Sequence, residues 1–477
     1  MTNNDLKKKW FEHFKTAPKQ LEKMSEVKGL ISAFNANIDA VIKVSGKKIE
    51  EIISRFNMDQ NSLLTPGDKS IKTNEDAVRG LVSCFKSGIA EEWIIQKKEV
   101  FDWLNENIGY DKLQMGGQGG IVANVMAACG VQDVFVHTAS SPKEQSQLFL
   151  DLPNLKNVNR NGELEKANSI DRSEDIPLIH WIIEFDINDS LTVNGEIFTC
   201  PKSNRFIATY DPLNFKLAID EAFEKRMSDT STRFEYIILS GYQMLQSELP
   251  EGESGIERIN QSIKIIKKWC ANNPDNIIHF EIASTQDKTI RKYLVDKLAV
   301  DMDSIGFNER ELIDILEVIG EDEIGEKCNK ETNSSNLFKG MLKVFDYMKC
   351  PRIQLHMFGL YITLQKKDFR ITPIQNRNGM QLAAVIAATK AGTGSINSND
   401  ALLWAKDREV SDIGLNELRK LSETVTEKFG ENNLIEDGIY INDEIEIIAV
   451  PTILIDKPIT LVGMGDTISS ISLVGAR

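Results

Sequence analysis

The residues whose types and spacing could do chemistry lie near the C-terminus of this chain, between Leu461 and Ser470. An apolar run ends at two glycines, Gly463 and Gly465, and one carboxylate, Asp466, follows them where a helical pattern begins. Glycines let backbone amides crowd together, and those amides, with the positive end of the helix dipole, predict a pocket for a transferring phosphoryl group. The carboxylate could accept the proton of an attacking hydroxyl. The alternative interpretation is that Asp466 only caps the helix.

A second polar motif follows the first predicted strand, where Asn35, Asn37 and Asp39 occupy alternate positions. Alternate residues of an extended chain point to the same face. The three side chains would therefore form a row of hydrogen-bonding groups suited to sugar hydroxyls. A polar strand end with Asx turns is the alternative.

A glycine-rich stretch at residues 115–120 precedes the helical pattern of residues 121–129. Without Cβ atoms, its backbone could approach a ligand closely. The stretch lacks the strand-then-G-x-G-x-x-G spacing and the later acidic residue of a dinucleotide site, which disfavours NAD binding. A flexible hinge is the structural alternative, and it is compatible with ligand binding.

Two further motifs could serve a cation. His279 and Glu281 alternate within a predicted strand, and Glu281 is a candidate outer-shell ligand of Mg²⁺ because hard cations take carboxylates, often through water. A buried salt-linked pair is the alternative. Asn308 and Glu311 have the spacing of a helix capping box, and this structural role would by itself explain the motif.

Composition limits the class of protein. The chain has 477 residues, a mass of 53.7 kDa, a net charge of −15 and a pI near 5.1. Its charges are mixed in sign, which argues against nucleic-acid or membrane partners. Six cysteines without a C-x-x-C pair argue for a reducing compartment. With no long apolar run or signal sequence, we expect a cytoplasmic protein, and we expect a monomer.

The elements that must position these residues alternate between β-rich and helical patterns, which is typical of a mainly parallel sheet covered on both faces. Strands are predicted near residues 29–34, 133–137, 236–239, 277–282, 304–307, 353–357 and 445–450. The fold class is thus α/β, with a three-layer α/β/α domain and a smaller discontinuous α+β lid. We predict the large domain at residues 1–39, 114–147 and 207–477, and the lid at 40–113 and 148–206. Such a lid would exclude water from a phosphoryl transfer.

The motifs form an ordered set along the chain: N-A-N-I-D at 35–39, M-G-G-Q-G-G at 115–120, N-R-F-I at 204–207, S-G-Y-Q at 240–243, H-F-E at 279–281, N-E-R-E at 308–311 and G-M-G-D at 463–466. This set resembles the ADP-dependent sugar kinases, the ADP-dependent glucokinases and phosphofructokinases of the ribokinase-like superfamily. The resemblance covers about residues 35–470. It implies a ribokinase-like fold and a Mg²⁺-dependent transfer of the terminal phosphoryl group of ADP to a sugar hydroxyl, which releases AMP.

The resemblance also implies a role for individual residues. Asp466 matches the catalytic base, and Arg205 resembles the arginine that reaches the phosphates from the lid. The remaining roles are an anion hole at Gly463, Met464 and Gly465; metal binding at Glu281, Asn308, Glu311 and Asp466; sugar binding at Asn37, Asp39, Gly116, Gly117 and Gln118; and a nucleotide region near His356 and Val450.

Substrate choice depends on two places in the sequence. In the family, a glutamate near residues 87–93 binds glucose, and Glu92 aligns best with it, with Glu91 as the fallback. Ile179 and His180 stand where phosphofructokinase members tend to have a lysine for the sugar phosphate. Having Glu92 together with Arg205 suggests a bifunctional enzyme that uses fructose 6-phosphate and glucose. The rival interpretations are an ATP-dependent ribokinase-type kinase and a sugar- or nucleotide-binding protein without chemistry.

Overall fold

A computed structural model describes residues 2–249, 252–271, 273–396 and 399–477, with only the backbone described at residues 399 and 400. Within these ranges the strands are β1 (Leu30–Ala33), β2 (Asn37–Lys43), β3 (Ser70–Ile71), β4 (Glu91–Ile95), β5 (Lys112–Gly116), β6 (Val134–Val136), β7 (Leu155–Val158), β8 (Leu164–Lys166), β9 (Ile179–Phe185), β10 (Ser190–Val193), β11 (Glu196–Thr199), β12 (Asn204–Tyr210), β13 (Tyr236–Leu239), β14 (Ile277–Glu281), β15 (Ser304–Phe307), β16 (Arg352–Met357), β17 (Leu360–Gln365), β18 (Ile439–Ile441) and β19 (Glu446–Pro451).

The α-helices in the same ranges are α1 (Asn3–Phe14), α2 (Ala17–Lys23), α3 (Gly46–Arg55), α4 (Gln60–Leu64), α5 (Asn74–Ser87), α6 (Lys98–Asn107), α7 (Gln118–Ala128), α8 (Lys143–Ser146), α9 (Glu221–Met227), α10 (Gly255–Ala271), α11 (Lys288–Tyr293), α12 (Glu309–Val318), α13 (Asp322–Lys330), α14 (Ser334–Met348), α15 (Pro373–Thr393), α16 (Asn399–Leu402), α17 (Asp412–Phe429), α18 (Leu434–Asp437) and α19 (Met464–Val474). None of these described helices is long and apolar enough to span a membrane.

The large sheet has the strand order β18-β19-β17-β16-β15-β14-β13-β1-β6-β7-β8. Its central strands, from β16 to β7, run parallel, and antiparallel strands complete both edges. Strands β13, β16, β17 and β19 are buried at every position, and such strands need cover on both faces. The predicted three-layer α/β/α domain with a mainly parallel sheet is confirmed.

The small sheet has the strand order β3-β4-β12-β9-β2-β5 and its own hydrophobic core, separate from that of the large sheet. Alternate residues such as Trp93, Trp181 and Phe206 point from one face of this sheet into that core, where helices α3 to α6 also contribute. The opposite face carries polar side chains, among them His180 and Glu92. The predicted second α+β unit, made of separate chain segments, is confirmed.

The strands do not follow the predicted segment boundaries. Strands β2, β5 and β12 pair within the small sheet, although residues 37–39, 114–116 and 207–210 fell in the predicted large domain. Conversely, β7 and β8 belong to the large sheet, although residues 148–206 were predicted as lid. The reason is that a short alternating strand looks the same in either sheet, because the choice of partner is a long-range contact that local pattern does not encode.

Candidate active site

The glycines near the C-terminus form a tight turn at the start of helix α19. Gly463 precedes the helix with a left-handed φ of 60°, and a Cβ atom there would lie 2.5 Å from Cδ1 of Ile121. A Cβ atom on Gly465 would lie 2.8 Å from Nε2 of His356. Only glycine fits both positions without displacing a neighbour. The first amides of α19 have no partners within the helix, so this turn offers N–H groups to an anion.

Asp466 is the third residue of α19 and is buried. The residue that caps the helix is Gly463, so the interpretation of Asp466 as the cap is wrong. Nε2 of Gln118 donates a hydrogen bond to Oδ1 of Asp466 at 2.9 Å. Burial raises the pKa of Asp466, while the Gln118 hydrogen bond and the charge of Lys390 oppose this rise. The carboxylate is thus held in place beside the amide pocket.

Lys390, at the end of helix α15, secures the turn. Its Nζ donates to the carbonyl of Gly463 at 3.2 Å and to Oγ1 of Thr467 at 3.1 Å. Burial lowers the pKa of Lys390 to about 8, and the charge of Asp466 acts in the opposite direction. Our sequence reasoning missed this residue. The signal was a lysine just after the apolar run of residues 382–388 in a helix, because a lysine among buried residues needs a specific partner.

Three buried carboxylates meet beside the turn: Glu281, Glu311 and Asp466. Burial raises the pKa of Glu281 well above its ordinary value, and the charges of Asp466 and Glu311 raise it further. Burial also raises the pKa of Glu311 to about 8; the Asn308 backbone N–H opposes this, and Asp466 adds to it. Acidic groups that repel one another in this way are oxygen donors of the type that a divalent cation prefers.

Asn308 and Glu311 do form the capping box of helix α12. Oδ1 of Asn308 accepts the amides of Arg310 and Glu311, and Oε2 of Glu311 accepts the Asn308 amide at 2.8 Å. The structural interpretation of this motif is therefore confirmed. It does not exclude a second role, because Glu311 also belongs to the carboxylate cluster. Within the described ranges, no three His, Cys, Asp or Glu side chains form a metal-binding group by themselves.

His356 and Val450, the two residues predicted for the nucleotide region, lie in surroundings that differ from each other. Nε2 of His356 lies 3.4 Å from Oε1 of Glu281, so His356 sits beneath the glycine turn, beside the carboxylate cluster. Burial lowers its pKa to about 4. Val450 is fully buried in strand β19, where it pairs with Tyr361. Its side chain has no exposed surface, because β19 lies between β17 and β18 in the large sheet and is buried at every position.

The predicted sugar-binding row lies where β1 leads into β2. Nδ2 of Asn37 donates to Oδ1 of Asp39 at 3.0 Å, and Asn37 pairs with Gly116 across the small sheet. A Cβ atom on Gly116 would lie 2.1 Å from Oδ1 of Asp39, so glycine is required there. The side-chain oxygens of Asn35 and Asn37 are buried and have no hydrogen-bond partner among the described residues. Such orphaned acceptors can receive ligand hydroxyls.

Gln118 connects the predicted sugar-binding row to Asp466. It is the first residue of α7, next to Gly117, whose φ of 73° is again left-handed. Its Oε1 accepts the amide of Gly241 at 3.3 Å while its Nε2 reaches Asp466. One side-chain amide therefore joins strands β5 and β13 to helix α19.

The polar face of the small sheet carries a charged cluster. Oγ1 of Thr209 donates to Oε1 of Glu92 at 2.6 Å, and Nδ1 of His180 lies 3.9 Å from the same oxygen. Nε2 of His180 lies 3.0 Å from Oδ2 of Asp211, which is fully buried. His180 also pairs with Asp39 along the sheet. Burial alone would lower the pKa of His180, but the hydrogen bond and charge of Asp211, with Glu92 and Asp39, raise it to about 9.

Glu91 and Glu92 point to opposite faces of β4. Glu91 contacts Lys69 at 2.7 Å and accepts Nε1 of Trp93 at 2.8 Å, away from the polar face. Of the two glutamates, only Glu92 lies with His180. Arg205 is exposed on β12, at a position that alternation places on the same face as Thr209.

His180 makes the stability of the protein depend on pH. Because the folded protein holds a proton up to about pH 9 that the unfolded chain releases near 6.5, the stabilisation is complete below about 6.5 and is lost as the pH rises through about 9. Relative to His180→Gln, the wild-type free energy of unfolding should fall by about 1–3 kcal/mol across this interval. Urea unfolding of both proteins at each end of the interval measures this. If the free energy of unfolding of the wild type and of His180→Gln depended on pH in the same way, the assignment of this proton to His180 would be contradicted.

The fold and this site together define a class: α/β phosphotransferases with a glycine turn and a carboxylate at a helix N-terminus. The family model for the conserved region of ADP-specific phosphofructokinase/glucokinase matches residues 28–475. The chain belongs to this family.

Individual relatives cover almost the whole chain. It is 26% identical to an ADP-specific phosphofructokinase of Methanosarcina acetivorans over 94% of this chain and 93% of the relative. It is 29% identical to an ADP-dependent glucose/glucosamine kinase of Pyrococcus abyssi over 98% of each chain. A solved ADP-dependent kinase in complex with fructose 6-phosphate and ADPβS superimposes with a TM-score of 0.82, 28% identity and coverage of 100% of this chain and 98% of that chain.

Proposed function

We propose that the protein transfers the terminal phosphoryl group of ADP to a sugar hydroxyl and releases AMP. The observation that supports this proposal is the contact of Asp466 with Gln118 beside the glycine turn, because a base at Asp466 would then adjoin both the amides of the turn and the predicted sugar-binding row. Family membership supports ADP as the donor.

In this mechanism Asp466 accepts the proton of the attacking sugar hydroxyl as the bond to phosphorus forms. The amides of Gly463, Met464 and Gly465 bind the oxygens of the transferring group, where negative charge is concentrated. Lys390 keeps the turn in shape and adds positive charge near it. Most of the rate enhancement would come from alignment and charge stabilisation rather than from covalent chemistry.

The carboxylate cluster provides the place for a divalent cation, for which we propose Mg²⁺. Glu281 and Glu311, with Asn308 and Asp466 adjacent, would hold it directly or through water, as Mg²⁺ usually binds through one or two carboxylates together with substrate phosphates. When bound, the cation neutralises charge on the phosphates.

The sugar would lie between the two sheets, over Asn37, Asp39, Gly116, Gly117 and Gln118. We propose that the small sheet acts as a lid whose polar face closes over this ligand. Arg205, on that face, would then reach the phosphate oxygens, a role suited to its planar array of donors. Closure would exclude water and so favour the sugar hydroxyl over hydrolysis.

For the nucleotide base, an exposed apolar patch beside the carboxylate cluster is the best candidate. Phe358 is 65% exposed and Ile413 is 48% exposed. The amide of Phe358 donates to Glu309 at the start of α12, which ties the patch to the cation end of the site. An aromatic ring and a branched side chain offer a purine the flat apolar contact it needs.

As sugar substrates we propose fructose 6-phosphate and glucose, because the relatives include both kinds of kinase and because Glu92 and His180 share the polar face. The decisive experiment is a matrix of ADP and ATP against the two sugars with purified protein, with AMP and sugar phosphate as the products measured. AMP formed from ADP only when sugar is present supports the proposal. Activity with ATP but not with ADP would favour an ATP-dependent ribokinase-type kinase. No turnover with any nucleotide and sugar pair would favour a sugar- or nucleotide-binding protein without chemistry.

Replacing Glu92 tests sugar choice. Glu92→Ala removes an acceptor for a glucose hydroxyl, so kcat/KM for glucose should fall by about 10–10²-fold. Turnover of fructose 6-phosphate should stay the same or improve, because a carboxylate repels a sugar phosphate. Glu91→Ala is the matched control and should change neither. Equal loss with both sugars would place Glu92 outside the specificity pocket.

A further inference from the structure

A fully buried arginine lies near the carboxylate cluster; it interacts electrostatically with Glu281, but its hydrogen-bond acceptors are other side chains. Arg352, the first residue of β16, donates to Oγ of Ser304 at 2.8 Å, Oε1 of Gln354 at 2.6 Å and Oδ1 of Asn376 at 3.1 Å. All three of these acceptors are neutral. Burying a charged guanidinium among neutral groups costs free energy of folding, which indicates that this arginine has a role besides stability.

The arginine is the first member of a chain of hydrogen bonds that ends at Glu281. Ser304 Oγ lies 2.9 Å from Nδ1 of His279, and Nε2 of His279 lies 3.2 Å from Oε2 of Glu281. The sheet register enforces this order, because His279 pairs with Ser304 and Ser304 pairs with Arg352 across adjacent parallel strands. Nε2 of His279 also lies 2.9 Å from Oγ of Ser469 in α19.

This chain of hydrogen bonds has a direction because the arginine side chain can only donate. Ser304 Oγ accepts from Arg352, which leaves its own proton to be donated to Nδ1 of His279. Nδ1 is then the unprotonated nitrogen of a neutral ring, and the ring proton is on Nε2, where Oγ of Ser469 at 2.9 Å and Oε2 of Glu281 at 3.2 Å can both accept it. The reverse arrangement would leave the fully buried Ser304 hydroxyl without an acceptor among the described side chains, which is unfavourable.

We propose that Arg352, acting through Ser304, fixes the Nε2–H tautomer of His279 and thereby orients Glu281 for a divalent cation. Oε2 of Glu281 faces Nε2 of His279 at 3.2 Å, whereas Oε1 faces Nε2 of His356 at 3.4 Å and is the oxygen that would turn to a cation. Arg352 and Ser304 are positioning residues, since neither would touch substrate. The proposal rests on the cation site of the proposed function, but the tautomer can be measured without any activity.

The chain offers a matched pair of hydroxyl deletions for the test. Ser304→Ala breaks the relay, whereas Ser472→Ala removes another fully buried hydroxyl, which accepts from Nε2 of Gln354 at 2.9 Å outside the relay. The Mg²⁺ concentration for half-maximal activity should rise by about 10–100-fold in Ser304→Ala, the usual effect of losing an outer-shell partner, and should be nearly unchanged in Ser472→Ala. Equal shifts in both variants would overturn the proposal.

A second readout uses ¹⁵N NMR of the histidine rings, which is practicable because the chain has five histidines. His279 should carry its proton on Nε2 in the wild type and in Ser472→Ala, and should lose this single-tautomer pattern in Ser304→Ala. A wild-type His279 protonated on Nδ1 would overturn the relay. If the wild type showed no kinase activity, the proposed function would fail, while the NMR result would still decide on the relay.

Discussion

Asp466→Asn is expected to reduce kcat by about 10²–10⁴-fold, the usual contribution of a general base. Asparagine keeps the shape of the side chain, and its Oδ1 can still accept the hydrogen bond from Gln118. It cannot, however, take the proton of the sugar hydroxyl. Steady-state kinetics with ADP and saturating sugar measure the effect.

Two accompanying measurements separate this loss from a folding defect. Sugar affinity should change little, because the row at Asn37 and Asp39 is untouched. The melting temperature should not fall, because the substitution removes a buried carboxylate whose pKa is already raised. A variant that retained more than about a tenth of the wild-type kcat would show that Asp466 is not the base.

Glu311→Gln should raise the Mg²⁺ requirement by about 10–100-fold, the range typical of groups that support a bound metal. Glutamine still serves at the third position of a capping box, so the cap of α12 is preserved. The charge that favours the cation is lost. Activity measured across a Mg²⁺ titration, with a melting curve for each protein, tests this.

Glu446→Gln is the matched control for this prediction. Glu446 and Glu311 are each 7% exposed, and burial raises the pKa of both. Glu446, however, lies on β19 and accepts a hydrogen bond from Nε2 of Gln365. It should leave the Mg²⁺ titration unchanged. If Glu311→Gln titrated like the wild type, its role would be that of the cap alone.

Much of the large sheet could be predicted from the sequence because its central strands are continuous apolar runs. The predicted strands at 236–239 and 304–307 coincide with β13 and β15. Strand β17 was missed, although it is equally apolar, because only the two residues of a hairpin turn separate it from β16 and local pattern does not divide the two. The sheet to which β7 belongs was predicted wrongly because partner choice depends on distant residues.

The motifs placed Asp466, Glu281 and Glu311 in one site, and the structure brings these three together. Lys390 and Asp211 were missed because their importance comes from contacts made in three dimensions. Asp211 raises the pKa of His180, which is 31 positions away in the chain, through the antiparallel pairing of β9 with β12. Val450 was chosen by its place in the sequence, and sequence alone does not reveal that β19 lies inside the sheet, between β17 and β18.

The carboxylate cluster has a consequence for the order in which ligands arrive. A free nucleoside diphosphate is an anion, and it would approach a protein of net charge −15 through three buried carboxylates that already repel one another. A nucleotide that carries its divalent cation presents a much smaller negative charge and brings the partner that the carboxylates need. If the cluster is the cation site proposed above, it would admit the metal complex of the nucleotide in preference to the bare anion.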